Sequence, residues 1–274
     1  MLLNRKQLSD YQEQGFVVLE NQFSSTEIDL LKREMTQLFD RDRPERILER
    51  NGAVRTIFAP HTYNTVFRTL SQMPRLLEPA RQILKSEVYI HQYKLNAKVA
   101  LDGGRWEWHQ DFLYWQKEDN MPEPRALNIV IFLEEVNDFN GPLLVIPGSH
   151  QKGKIDLEAN RSGWQSTLTA DLKYKIDKQL LSELVKERGI KAIKGSAGFV
   201  VLFHCNLFHG STGNMSPWDR LSVFVTYNSV KNTLQNKDNP RPEFIASRDF
   251  TPVRSASDRA LREMANIRRD FVEI

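Results

Sequence analysis

The sequence predicts a mainly β fold, with a barrel or sandwich core flanked by helices. Three observations support this prediction. Residues before about 87 carry mostly helical patterns, whereas later residues form β-branched and aromatic segments whose polarity alternates. Glycine, serine, asparagine and proline separate those segments as turns do. The sequence also contains no internal repeat and no glycine-rich phosphate loop.

The first third of the chain predicts helices with one short strand. A helix is predicted over 5–14, a strand over 16–19, and a second helix after Ser24 or Ser25, whose hydroxyl groups suit an N-cap. A further helix is predicted over about 74–85, where a proline stands at the first position.

Five later segments predict strands, and together they make the core. They read EVYIHQYKLNAKVAL, RALNIVIFLEEV, GPLLVIPGSH, AGFVVLFHCNLFHGS and RLSVFVTYNSV. A polar tail and a helix over roughly 256–270 follow. We therefore predict a single domain over 1–274, with a helical N-terminal part over about 1–86, a core over about 87–230, and a C-terminal tail and helix over 231–274.

Composition excludes several classes of protein. The net charge is only +3 and the basic residues are scattered, so no nucleic-acid partner is predicted. No apolar run approaches about 18 residues, so no membrane span is predicted. The single cysteine, Cys205, excludes an internal disulfide framework and suits a reducing compartment. With no signal-like N-terminus, we predict a cytoplasmic protein, either a monomer or a homodimer.

One group of residues indicates a metal site: His109 and Asp111, separated by Gln110, together with His209. If His109 and Asp111 lie at a strand end, they face the same side and can reach one ion. A second histidine from a neighbouring strand completes the two-histidine, one-carboxylate set typical of non-haem iron(II) oxygenases. A zinc hydrolase site is an alternative. A His-x-Asp pair alone is more often an ordinary hydrogen-bonded pair.

Arg220 adds to this pattern because it follows His209 by eleven residues, at the start of the next predicted strand. 2-Oxoglutarate is a dianion that can chelate iron through its 2-oxo acid end. Its far carboxylate then needs a fixed partner, and arginine provides a bidentate, permanently charged one. Taken alone, Arg220 would more often form a surface salt bridge.

Three segments resemble the phytanoyl-CoA dioxygenase superfamily, and within it the ectoine hydroxylases and related free amino acid hydroxylases. They read WEWHQDFLYWQKEDNMPEPRAL, NGPLLVIPGSH and LFHCNLFHGSTGNMSPWDRLSVFVTYNSV. The resemblance extends from about residue 9 to 253. It implies a double-stranded β-helix (jelly roll) core and dependence on Fe(II), 2-oxoglutarate and O₂.

The resemblance also implies roles for individual residues. The iron ligands would be His109, Asp111 and His209, which would also be the catalytic residues, and Arg220 would pair with the far carboxylate of 2-oxoglutarate. Polar contacts near the cosubstrate or substrate would come from Gln92, Ser211 and, on weaker grounds, Asn96. Trp115 and Phe224 match aromatic positions that line the substrate pocket.

Four residues depart from the ectoine hydroxylase pattern: Trp106, Gln110, Asn128 and Ser222. We expect Trp106, Gln110 and Ser222 in or beside the pocket, and Asn128 with Ser222 among the substrate residues. These departures favour a different small molecule over ectoine: a free amino acid or amino acid derivative, with an aliphatic one such as leucine favoured. Because Asp111 is present, hydroxylation is favoured over halogenation.

Two classes of alternative remain open. The same chemistry could act on a carrier-bound or CoA-bound substrate. A non-oxygenase jelly-roll protein that binds metal, such as an isomerase, a hydrolase or a binding protein, would share the fold. Among the other histidines, His204 is predicted not to share a metal with His209, because their odd spacing on one strand would place them on opposite faces. His61 and His91 are predicted to be structural.

Overall fold

The computed structural model describes residues 2–169 and 172–270 of the chain. The α-helices of this part are α1 (Arg5–Gln14), α2 (Ser25–Phe39), α3 (Thr65–Ser71), α4 (Pro74–Leu84), α5 (Asp111–Asp119), α6 (Lys178–Arg188) and α7 (Ala260–Asp270). The strands are β1 (Phe16–Leu19), β2 (Arg46–Leu48), β3 (Val54–Phe58), β4 (Val88–Lys98), β5 (Trp106–His109), β6 (Ala126–Phe132), β7 (Leu143–Val145), β8 (Lys191–Ile193), β9 (Val200–His204), β10 (His209–Ser211) and β11 (Arg220–Ser229).

The strands form two antiparallel sheets. The larger sheet has the order β1-β9-β6-β11-β4-β3-β2, and the smaller one has the order β5-β10-β7-β8. A cluster of apolar side chains from both sheets packs between them, including Phe132 and Phe224 from the larger sheet and Val145 from the smaller one. The predicted mainly β sandwich with flanking helices is therefore confirmed.

Strand β11 shows how period-two alternation builds both layers. Val223, Val225 and Tyr227 belong to the main core, which also contains apolar residues of α2, α3 and α4. Phe224, between two of them, belongs to the cluster between the sheets. Successive side chains of a strand point to opposite faces, so one apolar strand serves both layers. All ten residues of β11 are buried.

The predicted N-terminal helices begin where capping residues stand. The Asn4 side chain accepts from the backbone N–H of Gln7 at the start of α1, and Ser24 accepts from that of Glu27 at the start of α2. In both cases the third residue of the helix bonds back to the cap, which completes a capping box. Ser24, and not Ser25, is therefore the N-cap of the second predicted helix.

The structure departs from the predicted outline in three places. The N-terminal part is not only helical, because β2 and β3 extend the larger sheet beyond β4. The core contains the helices α5 and α6, which the strand patterns did not indicate. The segment AGFVVLFHCNLFHGS forms two strands, β9 and β10, in different sheets. A turn at residues 205–206 separates them, and its position lets the chain cross from one sheet to the other.

Candidate active site

The predicted metal ligands meet where a short strand runs into a helix. His109 is the last residue of β5, and Asp111 is the first residue of α5. Strand β10 pairs with β5 so that His209 lies directly opposite His109. The sequence predicts His109 and Asp111 on one face of a strand. The structure shows that they do not lie so, because Asp111 already belongs to the helix. The change from strand to helix turns Asp111 towards the histidines.

Three ligand atoms converge at this point. The Nε2 atoms of His109 and His209 each lie 3.6 Å from a different carboxylate oxygen of Asp111. One ligand atom from each residue lies within 4.8 Å of the others. Among the described residues, this is the only group of three or more such side chains placed to hold a metal ion.

The hydrogen bonds of the histidines fit a cation at this point. Nδ1 of His109 lies 2.7 Å from the carbonyl oxygen of Glu107, and Nδ1 of His209 lies 2.9 Å from that of Leu207. A carbonyl oxygen can only accept, so each Nδ1 carries the proton and each Nε2 of a neutral ring presents a lone pair. Two lone pairs and a carboxylate then face one another, an arrangement that a divalent cation stabilises.

Charge states agree with this arrangement. Burial is the main cause that lowers the pKa of His209 to about 4. The nearby His109 also lowers this pKa, and Asp111 opposes the shift without cancelling it, so the ring is neutral near pH 7. Burial alone would raise the pKa of Asp111, but His209, His109 and Lys94 together hold it well below its usual value. The carboxylate is therefore ionised, as a metal ligand must be.

Asn128, on β6 of the larger sheet, hydrogen-bonds the carboxylate of Asp111. Its Nδ2 donates to Oδ2 of Asp111 at 2.7 Å, and its Oδ1 accepts from the hydroxyl of Thr226 at 2.7 Å. Asn128 is fully buried and is not among the residues that line the cavity described below. The structure therefore places Asn128 away from the cavity lining, where its amide holds the carboxylate of Asp111.

Replacing Asn128 with leucine is expected to weaken metal affinity by about ten- to a hundredfold, because ligand orientation depends on such outer hydrogen bonds. Leucine keeps the volume but leaves Oδ2 of Asp111 and the hydroxyl of Thr226 without this partner. The measurement is Fe(II) affinity by anaerobic titration. Unchanged affinity would contradict the role given to Asn128.

A cavity opens beside the three ligands. Its lining combines two histidine ligands, polar groups, two cations and apolar surface: Lys94, Asn96, Trp106, His109, Leu143, His209, Gly210, Ser211, Arg220 and Phe224. Of the residues predicted for the cosubstrate or substrate, Asn96, Ser211, Arg220 and Phe224 line it. The structure thus brings together side chains from both sheets.

Arg220 is a buried guanidinium that faces this cavity. It is 4% exposed, and burial lowers its pKa to about 10, so it remains charged near neutral pH. One of its terminal nitrogens donates to the hydroxyl of Ser222 at 3.1 Å, whereas its Nε has no hydrogen-bond partner. Among the described residues it forms no ion pair. A carboxylate in the cavity would supply the anion that buried arginine requires.

The structure places three other predicted residues away from the cavity. Trp115 packs edge-on against His91 at 5.1 Å between ring centres, inside an apolar cluster. Gln92 donates to the carbonyl oxygen of Ile245. Gln110 lies between His109 and Asp111 in sequence, but it is buried and bonds the backbone of Gly153, Asn206 and Ile155. The expectation that Gln110 lies in or beside the pocket is wrong, because its position before α5 turns its side chain to these loops.

Lys94 is a charged cavity residue that was not predicted from the sequence. Its ammonium group lies 5.3 Å from the centre of the Phe224 ring. Burial lowers its pKa, while Asp111 opposes that shift. Only its position on β4 could have indicated it, since Lys94 shares a strand face with Gln92 and Asn96.

The remaining histidines do not join the metal group. His204 ends β9, and its Nδ1 accepts from the backbone N–H of Asn206. It differs from His209 in strand and in sheet, and it is not in the group formed by His109, Asp111 and His209. His91 is fully buried beside Asp119, outside the metal group.

The family model for phytanoyl-CoA dioxygenase matches residues 11–222 of this chain. The chain belongs to this family. It is 41% identical over 263 residues to the ectoine dioxygenase of Bordetella bronchiseptica, covering 92% of this chain and 85% of that protein. It is 37% identical over 250 residues to the L-proline trans-4-hydroxylase of Streptomyces griseoviridis, covering 89% of this chain and 92% of that protein.

Solved structures support the same assignment. The crystal structure of EctD from S. alaskensis with 2-oxoglutarate and 5-hydroxyectoine superposes with a TM-score of 0.82 at 35% identity, covering 93% of this chain and 88% of that one. The structure of the same protein with bound Fe gives a TM-score of 0.81. The more distant carbocyclase SnoK, at 18% identity and a TM-score of 0.70, shares the fold.

These findings confirm the predicted jelly-roll fold and the enzyme class, a 2-oxoglutarate-dependent non-haem iron dioxygenase that requires Fe(II), 2-oxoglutarate and O₂. The residues present fit these groups, because the converging ligands suit iron and the buried guanidinium suits an anion. None of the helices in the described ranges has the length and apolar character needed to cross a membrane.

Proposed function

We propose that this protein hydroxylates an unactivated C–H bond of a free amino acid or amino acid derivative, with an aliphatic amino acid such as leucine favoured. The observation that supports this most strongly is the charge arrangement of the cavity. Two cations, the half-buried Lys94 and the buried Arg220, line the same cavity as two metal-ligating histidines. Each cation can bind one carboxylate. One carboxylate comes from 2-oxoglutarate, and the other comes from the substrate.

His109, Asp111 and His209 would hold the iron, and Arg220 would hold the far carboxylate of 2-oxoglutarate. When bound there, iron with 2-oxoglutarate and O₂ supplies the oxidising power that breaks an unactivated C–H bond. The side chains of the protein bind and orient the cosubstrate and the substrate, and they exclude water from the cavity. Ser222 fixes one nitrogen of Arg220, and Asn128 fixes Asp111. Neither group needs to exchange a proton during the reaction.

Lys94 lies on the cavity wall beside an aromatic ring, so its ammonium can bind a carboxylate without leaving the wall. An amino acid held there by its carboxylate would extend its side chain along the apolar surface of Leu143, Trp106 and Phe224. This surface contacts hydrocarbon and excludes water, which favours an aliphatic side chain over a polar one. Holding the substrate in one pose decides which carbon reacts.

The names of the relatives support this class of substrate, but they do not identify the substrate of this protein. Ectoine dioxygenase and L-proline trans-4-hydroxylase are named for a small amino acid derivative and a free amino acid. Trp106, which lines the cavity, departs from the ectoine hydroxylase pattern and favours a substrate other than ectoine. We further propose that the chain acts in the cytoplasm as a single domain, as a monomer or homodimer, with no nucleic-acid partner.

A mass-spectrometric screen tests the proposal. Purified protein is incubated with Fe(II), 2-oxoglutarate, ascorbate and O₂ against leucine, isoleucine, proline, arginine and ectoine, while succinate is followed in parallel. We expect a product heavier by one oxygen from an aliphatic amino acid, with succinate in equal amount. Carboxyl esters of the same amino acids serve as controls, and we expect them to react poorly because they cannot pair with Lys94.

Two other outcomes would change the assignment. Succinate without hydroxylated product would favour a carrier-bound or CoA-bound substrate. Neither succinate nor product, from protein shown to hold iron, would contradict the oxygenase proposal and favour a non-oxygenase metal-binding protein.

A further inference from the structure

Four large apolar side chains are exposed on three loops of the sandwich. They are Leu101 (67% exposed), Phe139 (68%), Met215 (84%) and Trp218 (63%), and together they form the loop patch. The loops span residues 99–104, 133–142 and 212–219, which connect β4 to β5, β6 to β7, and β10 to β11. Scattered exposed apolar residues are ordinary on a protein surface, whereas a group of them indicates an interaction site.

Backbone hydrogen bonds join the three loops to one another. The N–H of Leu101 donates to the carbonyl oxygen of Ser216 at 3.0 Å. The N–H of Met215 donates to the carbonyl oxygen of Phe139 at 2.9 Å. Each bond brings two of the loops into direct contact beside residues of the loop patch. The four side chains therefore belong to one surface and not to three separate sites.

Asn214 holds this surface in one shape. It is 2% exposed, and its Nδ2 donates to the carbonyl oxygens of Val99 at 3.2 Å and of Trp218 at 2.7 Å. Its Oδ1 accepts from the backbone N–H of Ser216 at 2.9 Å. The apolar side chains thus stand on loops whose backbone is fixed by a buried amide. A surface that is ordered before binding loses little conformational entropy when a partner docks.

Leu101 adopts a backbone conformation that leucine rarely adopts. Its φ is +63°, in the left-handed region, where glycine and asparagine fit with less strain. Its side chain is exposed, so burial within the chain does not compensate for this strain. Neither the backbone nor the packing of this chain favours leucine at this position. Contact with a partner would provide the burial that the chain itself does not provide.

The three loops carry negative charge. Residues 99–104, 133–142 and 212–219 contain five acidic residues and no basic one: Asp102, Glu134, Glu135, Asp138 and Asp219. Glu134 is paired with Lys32 at 2.9 Å. Asp138 is paired with Lys194 at 2.9 Å. The other three carboxylates form no ion pair with any residue of the described ranges 2–169 and 172–270. The loop patch is therefore accompanied by unpaired negative charge.

The basic residues that flank the loops leave this charge unbalanced. Lys98 and Arg220, at the strand ends next to two of the loops, are both buried. Arg105 is exposed, but it is paired with Glu107 at 3.3 Å. Cations from outside the chain can therefore approach the loop carboxylates without competition from these side chains.

The sign of the charge determines what can cover the loop patch. A second copy docked patch to patch would bring the unpaired carboxylates of both copies together, which is unfavourable. An anionic membrane surface would be repelled for the same reason. A protein segment with cations around an apolar centre matches both the apolar side chains and the charge.

We propose that the loop patch is a docking surface for a partner protein segment that presents apolar side chains flanked by lysine or arginine. Met215 and Trp218, which are residue types enriched at protein interfaces, form the apolar centre of this surface. Asp102 and Glu135, exposed on the same loops, pair with the cations of the partner. None of these four residues lines the substrate cavity, so the docking surface does not depend on the identity of the substrate.

Binding of a synthetic peptide tests the proposal. The probe is a fluorescein-labelled helical peptide of leucine and lysine with the leucines along one face. Its counterpart has glutamate in place of every lysine. Fluorescence anisotropy with the full chain gives the Kd of each peptide at low and at high ionic strength. We expect saturable binding of the leucine–lysine peptide that weakens with salt, and no binding of the leucine–glutamate peptide.

Five variants locate the binding surface. Trp218→Ser and Met215→Ser are each expected to raise the Kd of the leucine–lysine peptide about tenfold, because they remove the apolar centre. Asp102→Asn and Glu135→Gln should raise it about two- to fivefold, as expected of exposed ion pairs. Ile190→Ser removes an apolar side chain that is exposed elsewhere, so this matched control should leave the Kd unchanged. All five side chains are exposed, so these variants are expected to fold.

Several results would overturn the proposal. They are an absence of saturable binding by the wild type, equal binding of both peptides, and an unchanged Kd in Trp218→Ser and Met215→Ser. Sedimentation velocity tests a second copy as the occupant: a wild-type dimer that Trp218→Ser converts to a monomer would assign the loop patch to self-association. Flotation with vesicles of phosphatidylcholine or phosphatidylglycerol tests a membrane. Vesicle binding that is lost in Trp218→Ser would assign the loop patch to a lipid surface.

Discussion

Replacing Asp111 with alanine is expected to abolish hydroxylation. Asp111 provides the only carboxylate of the metal group, and both histidine Nε2 atoms lie 3.6 Å from its oxygens. Loss of an outer hydrogen bond to a ligand costs about ten- to a hundredfold, so loss of the ligand itself should exceed a hundredfold in kcat/KM. Product is measured by mass spectrometry, and iron content by elemental analysis of the purified variant.

Two comparisons make this result specific. Asp138→Ala removes an exposed aspartate that pairs with Lys194, and it should leave activity unchanged. Added formate should restore part of the activity of Asp111→Ala, because it can supply a carboxylate in the space that the side chain vacates. An Asp111→Ala protein that hydroxylates at the wild-type rate would remove Asp111 from the ligand set.

Replacing the half-buried Lys94 with methionine is expected to raise the KM for the amino acid substrate by about tenfold or more, since a hydrogen bond to a charged group contributes about 1.5 kcal/mol or more. Methionine keeps much of the stem that packs on Phe224 and removes the ammonium. The KM for 2-oxoglutarate should stay within about twofold, because Arg220 and not Lys94 binds it in the proposed function. Steady-state kinetics with the substrate found in the screen provide both constants.

The paired outcome identifies the role of Lys94. Lys231→Met, at an exposed position, is the matched control and should change neither constant. Lys94→Arg should retain part of the affinity for substrate, because arginine also binds a carboxylate. Equal increases in both KM values would mean that Lys94 supports the cosubstrate site. An unchanged KM for the amino acid would place the substrate carboxylate elsewhere.

The three residues of the candidate metal site could be predicted from sequence because histidine and carboxylate side chains in this combination suit a metal ion. The pattern consists of a histidine and an aspartate two residues apart, a distant histidine, and an arginine eleven residues beyond it. The structure brings these three ligands together and places Arg220 on the same cavity. The geometry at Asp111 differed from the prediction. The alternation of side chains between two faces holds only along a strand, and here the strand ends at His109 and a helix begins at Asp111.

The substrate residues were harder to predict because their identity depends on which strand face meets which cavity. Trp115 is aromatic and close to Asp111 in sequence, yet helix α5 turns it into an apolar cluster against His91. Asn128 has the polarity expected of a substrate contact, yet its side chain on β6 donates a hydrogen bond to Asp111. Lys94 belongs to no sequence motif, and only the structure shows that it lines the cavity.

The sequence by itself determined the mainly β class, the starts of the first two helices, the positions of the long strands and the four residues of the iron and cosubstrate pattern. Those features depend on periodicity, capping and ligand chemistry, which are local properties of the chain. Only the tertiary structure decided the pairing of β5 with β10, the hydrogen bond from Asn128 to Asp111, and the position of Lys94 on the same cavity as Arg220. These depend on contacts between residues far apart in sequence, and strand register and burial determine such contacts.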